Sequence, residues 1–568
     1  MNKFFKNLKT IFELLFKKSF FWSFTMIVTY LIQVAVSFLY VYSIDNFFQS
    51  IYKNYSIDNG KILYPFLFFA VVVLLKHITD GINVFTINSF NKKIMSETKL
   101  TIIDKMNRFK YNNFEDVDKL NFIDSVKNVR MDSILIFYLS MFFYYIPYSI
   151  FLIFYLYNIN YFVGITSIFL LLPILFSKIF QIKYSSHFEK NIVNVRRKSQ
   201  MFMNYFFEID TLRDIKSFCS EEYFIDLYKS YNEDYIDKKY KFQKKTLNME
   251  IVFKGLVSVI FAVLLYILVK LTLLKYINAA TFSSSLVIIS ELVSSSVSLI
   301  IYDSVLLLEN YAPFKNYFKF YNDEVDFDYI SNNTEDSEII SFSDVFFKYK
   351  NSDEEVIKNM SFCVNKGEKV AIIGKNGSGK SSLLKLLLGM YEETSGDIQM
   401  IKNNSVVFQD YCRYKLNLKE NIIISDTKSD FDSNRFDDAF EITELSKKFE
   451  DIDVELSKEF SGVSPSGGTW NNISIARCIY KDADIYFMDE PMANFDSIKE
   501  KEIFDKLIKY FDDKTVIFIT HNLGIVKKFD KIILIDSGEI KAIGNHKFLF
   551  ENCDLYKSLF ETQKNMYK

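Results

Sequence analysis

Val370-Ala371-Ile372-Ile373-Gly374-Lys375-Asn376-Gly377-Ser378-Gly379-Lys380-Ser381-Ser382 is the stretch that decides how the C-terminal part of this chain folds. Val370 to Ile373 form a short apolar run of β-type residues that ends at Gly374, and 381–388 behind the glycines read as a helix. A glycine-rich loop between strand and helix is what phosphate binding requires. The glycines let backbone N–H groups close on phosphate oxygens, and the helix N-terminus adds partial positive charge. In this reading Gly374 to Ser382 cradle ATP, Lys380 reaches its β- and γ-phosphates, and the Ser381 hydroxyl ligates Mg²⁺.

Further along the chain, Ile485-Tyr-Phe-Met488 is a second buried strand that delivers Asp489 and Glu490 at its end. Asp489 suits Mg²⁺, and Glu490 suits a general base that polarises an attacking water. Val516-Ile-Phe-Ile-Thr520 is a third strand, and it ends in His521, one of only four histidines, placed to contact a γ-phosphate. Between these strands lie Gln409 and the run Pro465-Ser466-Gly467-Gly468-Thr469.

With these motifs in this order, the chain resembles ABC transporters of the half-transporter type, in which a six-helix membrane domain precedes an ATPase domain on one chain. The resemblance implies that Tyr349 stacks on adenine, that Gln409 joins Mg²⁺ to the membrane domain, that Asp496 is the aspartate of the D-loop, and that His521 is the switch histidine. It also implies that Ser466, Gly467 and Gly468 contact the γ-phosphate of ATP held by a facing half. The chain departs from the family pattern there. Thr469 replaces the usual Gln, and Asn471-Asn472 stands where Gln-Arg is common, so the polar extension and the positive charge behind the signature are missing from the linear motif. Two arrangements follow: a homodimer with two equal, slower sites, or a heterodimer with a second half-transporter whose lesser site receives this signature.

The first 310 residues hold long apolar runs, and about 20 such residues cross a bilayer. Candidate spans are 20–44, 62–84, 133–156, 160–181, 255–275 and 281–302. The second is apolar only to Leu75 and then meets Lys76, His77 and Asp80, so its inner half must face protein or water. The last is rich in serine around Glu291. There the choice lies between close helix packing with Glu291 satisfied inside the bundle and a polar pathway lined by Glu291 with Lys76 or His77. Lysines and arginines concentrate at the N-terminus and over 91–130, against a modest loop at 45–61 and tight turns at 157–160 and 274–279, which puts the basic side in the cytosol. The fold expected is therefore an α-helical transmembrane domain with six spans and long cytosolic extensions, followed by an α/β P-loop NTPase domain. Its boundaries are an amphipathic membrane-surface helix at 1–19, the transmembrane domain at 20–320, an acidic polar linker at 321–338 and the nucleotide-binding domain at 339–568. The segments 111–118 and 211–218 resemble the short helices through which the family couples the two domains.

Composition adds limits. A net charge of −2 offers no basic field for nucleic acid. Sixty Phe and 37 Tyr accompany many Lys, Asn and Ile, as in AT-rich bacterial genomes, and identify no substrate. Cys219, Cys363, Cys412, Cys478 and Cys553 lack CxxC spacing and read as reduced and inert. No cleavable signal peptide is expected, and residues 1–19 leave no room for a peptidase domain, so leader cleavage by this chain is not expected. The functional expectation is an ATP-driven exporter in the bacterial cytoplasmic membrane, multi-pass, with its N-terminus and ATP-binding domain in the cytosol. It would move a bacteriocin-like or other peptide, a lipid or a drug. The alternative is an ATP-gated regulatory, immunity or sensor module with little turnover.

Overall fold

The apolar stretches of the first 320 residues fold as helices. Described in a computed structural model are residues 11, 13–53, 59–322, 340–350, 352–493 and 495–566, and the chain divides into one unit of Met1–Phe109 and Asn113–Tyr329 and another of Lys110–Asn112 and Ile330–Lys568. In the first unit α1 spans Phe20–Lys53, α2 Asn59–Met106, α3 Val117–Lys127 and α4 Met131–Ser140. A π-helical turn, Met141–Tyr145, leads from α4 into α5, Ile146–Ile159. Then come α6 Tyr161–Ile168, α7 Leu172–Asn204, α8 Ile209–Ser217, α9 Glu221–Leu273 and α10 Ala279–Tyr321. The 53 residues of α9 reach about 80 Å at 1.5 Å per residue, against a bilayer core of about 30 Å. Such a helix continues far beyond any membrane it crosses.

Among the described residues, four helices are long and apolar enough to span a bilayer: Phe20–Lys53, Ile62–Met106, Met131–Ile159 and Glu221–Leu273. The other two expected spans coincide with shorter apolar helices, Tyr161–Leu171 and Ala279–Ser295. In the first of these a 3₁₀ turn, Phe169–Leu171, interrupts the helix just ahead of Pro173, whose ring removes a backbone donor. The second is the start of the longer helix α10, Ala279–Tyr321. Most of the expected loop at 45–61 is helical, because α1 runs on to Lys53 and α2 begins at Asn59. Of the expected surface helix at 1–19, Glu13–Lys18 forms a π-helical turn, while residues 1–10 and 12 lie outside the described residues, as does the linker from 323 to 338.

The polar groups of α2 find partners within the bundle. Lys76 Nζ lies 3.2 Å from Glu291 Oε1 on α10 and 4.1 Å from the centre of the Tyr40 ring on α1. Gln33 Nε2 donates to Asp80 Oδ1 at 2.7 Å, and Asn83 Nδ2 donates to Gln33 Oε1 at 3.1 Å. His77 is exposed instead. Ser284 is fully buried and donates to Asp45 at 2.7 Å. Carboxylates and ammonium groups that cost several kcal/mol alone in an apolar phase are thus paired.

In the second unit β1 (Ile340–Phe347) lies between β2 (Ile357–Val364) and β4 (Ser395–Gln399) in an antiparallel sheet. The larger sheet runs β5-β6-β7-β3-β8-β9, with β3 Lys369–Gly374, β5 Asn404–Val407, β6 Ile485–Asp489, β7 Thr515–Ile519, β8 Lys531–Asp536 and β9 Glu539–Gly544. All neighbours in it are parallel except β8 and β9. Strands buried on both faces read as continuous apolar runs, and Val370 to Ile373 show why. Ala371 and Ile373 enter one core with Trp470, Ile473 and Phe504, whereas Val370 and Ile372 enter a second with Leu383, Leu387 and Ile357. The helices of this unit are α11 Lys380–Leu387, α12 Leu418–Ile423, α13 Ser433–Ile442, α14 Gly467–Tyr480, α15 Ser497–Tyr510, α16 His546–Asn552 and α17 Asp554–Met566.

Candidate functional site

In open parallel sheets, ligands bind beyond the carboxyl ends of the strands. Here β6, β7 and β3 are adjacent, so the loops that follow them, carrying Glu490, His521 and Gly374 to Lys380, emerge side by side although up to 150 residues separate them in sequence. The glycine loop is held tightly. A Cβ on Gly374 would stand 2.2 Å from the Ile535 carbonyl oxygen of β8, so only glycine allows β3 to end there. Gly379 caps α11 at φ 101°, a backbone conformation that costs little without a side chain. Lys375, Asn376 and Gly377 are exposed, Ser378 and Lys380 are buried, and Ser381 is exposed at the start of α11. Lys380 Nζ donates to the carbonyls of Gly374 and Lys375, both at 2.9 Å. Burial lowers its pKa, against the opposing pull of Glu490 and Asp489. The Ser378 hydroxyl is buried without a hydrogen-bond partner, so the loop holds an unused polar group.

Glu490 occupies the centre of the site. Its backbone is left-handed, φ 45°, a strain on the order of 1 kcal/mol for a residue with a Cβ, and its N–H donates to Ile519 O at 2.9 Å. The carboxylate is bracketed on both sides: Gln409 Nε2 donates to one oxygen at 3.2 Å, and His521 Nδ1 lies 3.2 Å from the other. Beside it Asp489 is buried, and its pKa rises to about 6, first through burial and then through the charge of Glu490, with Lys380 opposing. The side chains of Ser381, Gln409 and Asp489 supply a hydroxyl, an amide and a carboxylate. This all-oxygen set suits Mg²⁺, which takes few protein ligands and shares substrate phosphates. Among the described residues no cluster of three His, Cys, Asp or Glu side chains offers a different metal centre.

The remaining residues singled out from the sequence occupy defined positions. The Tyr349 hydroxyl bonds Ser382 Oγ at 2.8 Å, and its ring meets Tyr391 edge-on with centroids 5.5 Å apart. Ser466 is the N-cap of α14, with Ser466 and Gly467 exposed and Gly468 partly so. Asp496 caps α15, accepting from the backbone N–H of Ile498 at 3.1 Å and of Lys499 at 2.9 Å. That cap holds the D-loop's end whatever else the residue does. The adjoining Asn494 lies outside the described residues.

Three residues escaped the sequence reading. The Tyr411 hydroxyl donates to Gly467 O at 2.9 Å, tying the segment after Gln409 to the signature turn. Gln563 on α17 grips the switch loop twice: Leu523 N donates to its Oε1 at 2.7 Å, and its Nε2 donates to His521 O at 3.1 Å. Lys448 Nζ donates to Thr469 Oγ1 at 2.9 Å. The linear motif lacks a cation behind the signature, and the fold brings one from 21 residues upstream. None of the three carries a local sequence signal; Tyr411 was nearest to legible, two positions after Gln409.

Comparisons with known proteins agree with this geometry. A family model described as ABC transporter matches residues 357–493. The subtilin transport ATP-binding protein SpaT of Bacillus subtilis is 29% identical over 415 residues, covering 69% of this chain and 66% of that protein. The nisin transport ATP-binding protein NisT of Lactococcus lactis is 35% identical over 237 residues, covering 38% of this chain and 39% of that one. These alignments span less than two thirds of either relative. The solved structure of a bacterial Atm1-family ABC exporter with ATP bound superposes with a TM-score of 0.78, over 95% of this chain and 98% of that one; at 16% identity, it speaks for the fold. Residues 357–493 of this chain thus carry an ABC transporter ATP-binding domain, joined on one polypeptide to a helical region whose fold matches that of a solved ABC exporter.

Proposed function

We propose that this protein is an ATP-driven exporter, and that the bracketed carboxylate of Glu490 is the base of its ATPase site. The observation that carries this reading is Glu490 held between Gln409 and His521, one residue beyond buried Asp489. A carboxylate fixed by two neighbours at the strand end is oriented to accept a proton from an attacking water. Lys380 and the loop of Gly374 to Gly379 hold the phosphates, Tyr349 offers its ring to adenine, and His521 contacts the γ-phosphate. Ser381, Gln409 and Asp489 would hold Mg²⁺, which would supply positive charge to offset that of the phosphates. Ser466, Gly467 and Gly468 close the site of a facing half across a dimer, and the facing half returns the same cover. We take that half to be a second copy of this chain, with a related half-transporter as the other arrangement.

Six spans, the N-terminus and the ATP-binding domain in the cytosol, and alternating access driven by closure of the two halves complete the proposal. Relatives named for subtilin and nisin transport favour a bacteriocin-like peptide as cargo, ahead of lipids or drugs. The test is ATP hydrolysis by the full-length protein in lipid nanodiscs. Glu490→Gln should lower kcat by at least about 100-fold, the usual scale for losing a general base. Equal rates in the two proteins would overturn the assignment.

A further inference from the structure

The signature turn departs from its family pattern at Thr469, Asn471 and Asn472, and the structure accounts for each departure. Asn471 Nδ2 donates to Pro491 O, and Asn472 Nδ2 donates to Thr443 O, both at 2.5 Å, so both side chains turn inward and are buried. The second bond anchors the segment that leads through the 3₁₀ turn Leu445–Lys447 to Lys448. Lys448 then reaches back to Thr469. Thr469 in turn faces Ser466 twice, through its N–H at 3.3 Å and through a hydroxyl–hydroxyl pair at 3.0 Å.

Two hydroxyls in contact are ambiguous, since either proton can lie between them. An ammonium biases the choice. It has three donors and no acceptor, so it occupies one of the two lone pairs of the Thr469 oxygen and favours the Thr469 proton lying toward Ser466. The adjacent positive charge also polarises the Thr469 hydroxyl into a stronger donor. Ser466 Oγ then accepts from both the N–H and the O–H of Thr469. Its two lone pairs are occupied, and its own proton is left for an outside acceptor.

We propose that Lys448 is a positioning residue that fixes the direction of this relay, so that the exposed Ser466 hydroxyl donates outward to a γ-phosphate oxygen of ATP held by the facing half. This rests on the two-sided site described under the proposed function. The cation acts through Thr469 and does not touch the nucleotide. The neighbouring acid, Glu444, is shared by Lys447 and Lys506, each at 2.8 Å, and burial, then the charge of Lys499, lowers the Lys448 pKa, with Glu444 opposing. The back of the turn is therefore cationic.

The test uses full-length protein in nanodiscs in a Glu490→Gln background, with closure of the two ATP-binding halves followed by distance measurements between spin labels as ATP is titrated. Lys448→Met should raise the ATP concentration for half-closure about tenfold, the effect of losing one charge-assisted bond, and leave binding of a fluorescent ADP unchanged. Thr469→Val should give the same shift, and the double variant no more than either alone, because both act through one relay. Lys448→Arg and Thr469→Ser, which keep the donor and the hydroxyl, should close as the parent does. The role of Lys448 is overturned if Lys448→Met closes as the parent does, if the two shifts add, if Thr469→Ser is as impaired as Thr469→Val, or if ADP binding weakens equally. A parent that never closes with ATP overturns the two-sided site itself, and the relay with it.

Discussion

Asp489 is a carboxyl group buried beside a second one, Glu490. Burial lifts its pKa to about 6, well above the ordinary value of 3.8, so the folded protein binds that proton more tightly than the unfolded chain does. The resulting stability is fully present below about pH 4 and is lost as pH rises through about 6. Asp489→Asn should therefore stabilise the nucleotide-free protein at pH 7.5, by on the order of 3 kcal/mol at most, and should flatten the rise in melting temperature expected of the parent between pH 7.5 and 5. Ligation of Mg²⁺ requires the ionised carboxylate, so the Mg²⁺ concentration for half-maximal ATPase should climb as pH falls below about 6. An Mg²⁺ requirement independent of pH between 5 and 7.5 would contradict this. The sequence nominated Glu490 and His521 for catalysis and Asp489 for Mg²⁺, because short apolar strands deliver them. It did not reveal that Gln409 and His521 would grip the same carboxylate, since bonds between residues 81 and 31 positions apart leave no local pattern.

At the level of elements, two contacts carry predictions. The C-terminal helix α17 holds the switch loop through the paired bonds of Gln563. Gln563→Ala frees that loop, and kcat should fall several-fold while ATP affinity at the glycine loop holds; the split between kcat and KM separates this from general unfolding. In the membrane region, Lys76 and Glu291 form a partly buried pair between α2 and α10. Removing one partner leaves an uncompensated charge, which is far costlier than removing both. Lys76→Met or Glu291→Gln alone should lower the melting temperature in detergent, and the double variant should recover most of the loss. Additive losses would mean that the two groups do not depend on each other. If Glu291→Gln alters neither substrate-stimulated ATPase nor transport, the pair is structural and lines no pathway. Sequence reading placed both charges in spans and required them to face protein, water or a polar pathway. Which charge met which was decided by helix packing, and His77, a candidate of equal standing in the sequence, points away.

At the scale of the whole molecule, the two-sided site proposed above requires a dimer, with Ser466, Gly467 and Gly468 at the start of α14 in one half set against Lys380 at the start of α11 in the other. The purified chain alone in nanodiscs should run at about twice 67.0 kDa and hydrolyse ATP, with the rate raised by the peptide class of substrate proposed above. A monomer that hydrolyses only when a second half-transporter is added would make the heterodimer the correct arrangement. The sequence by itself determined the two-part architecture and the glycine loop between strand and helix, and it nominated the ATP-handling residues, because strand runs, glycine loops and apolar spans are set by neighbours along the chain. The tertiary structure decided what depends on distant parts meeting: the order β6-β7-β3 that gathers the loops, the bracket on Glu490, the Lys76–Glu291 pair and the ammonium behind Thr469. The signature that looked depleted in the sequence regains its cation in the fold, because hydrogen bonds form between neighbours in space and a linear motif records only neighbours in the chain.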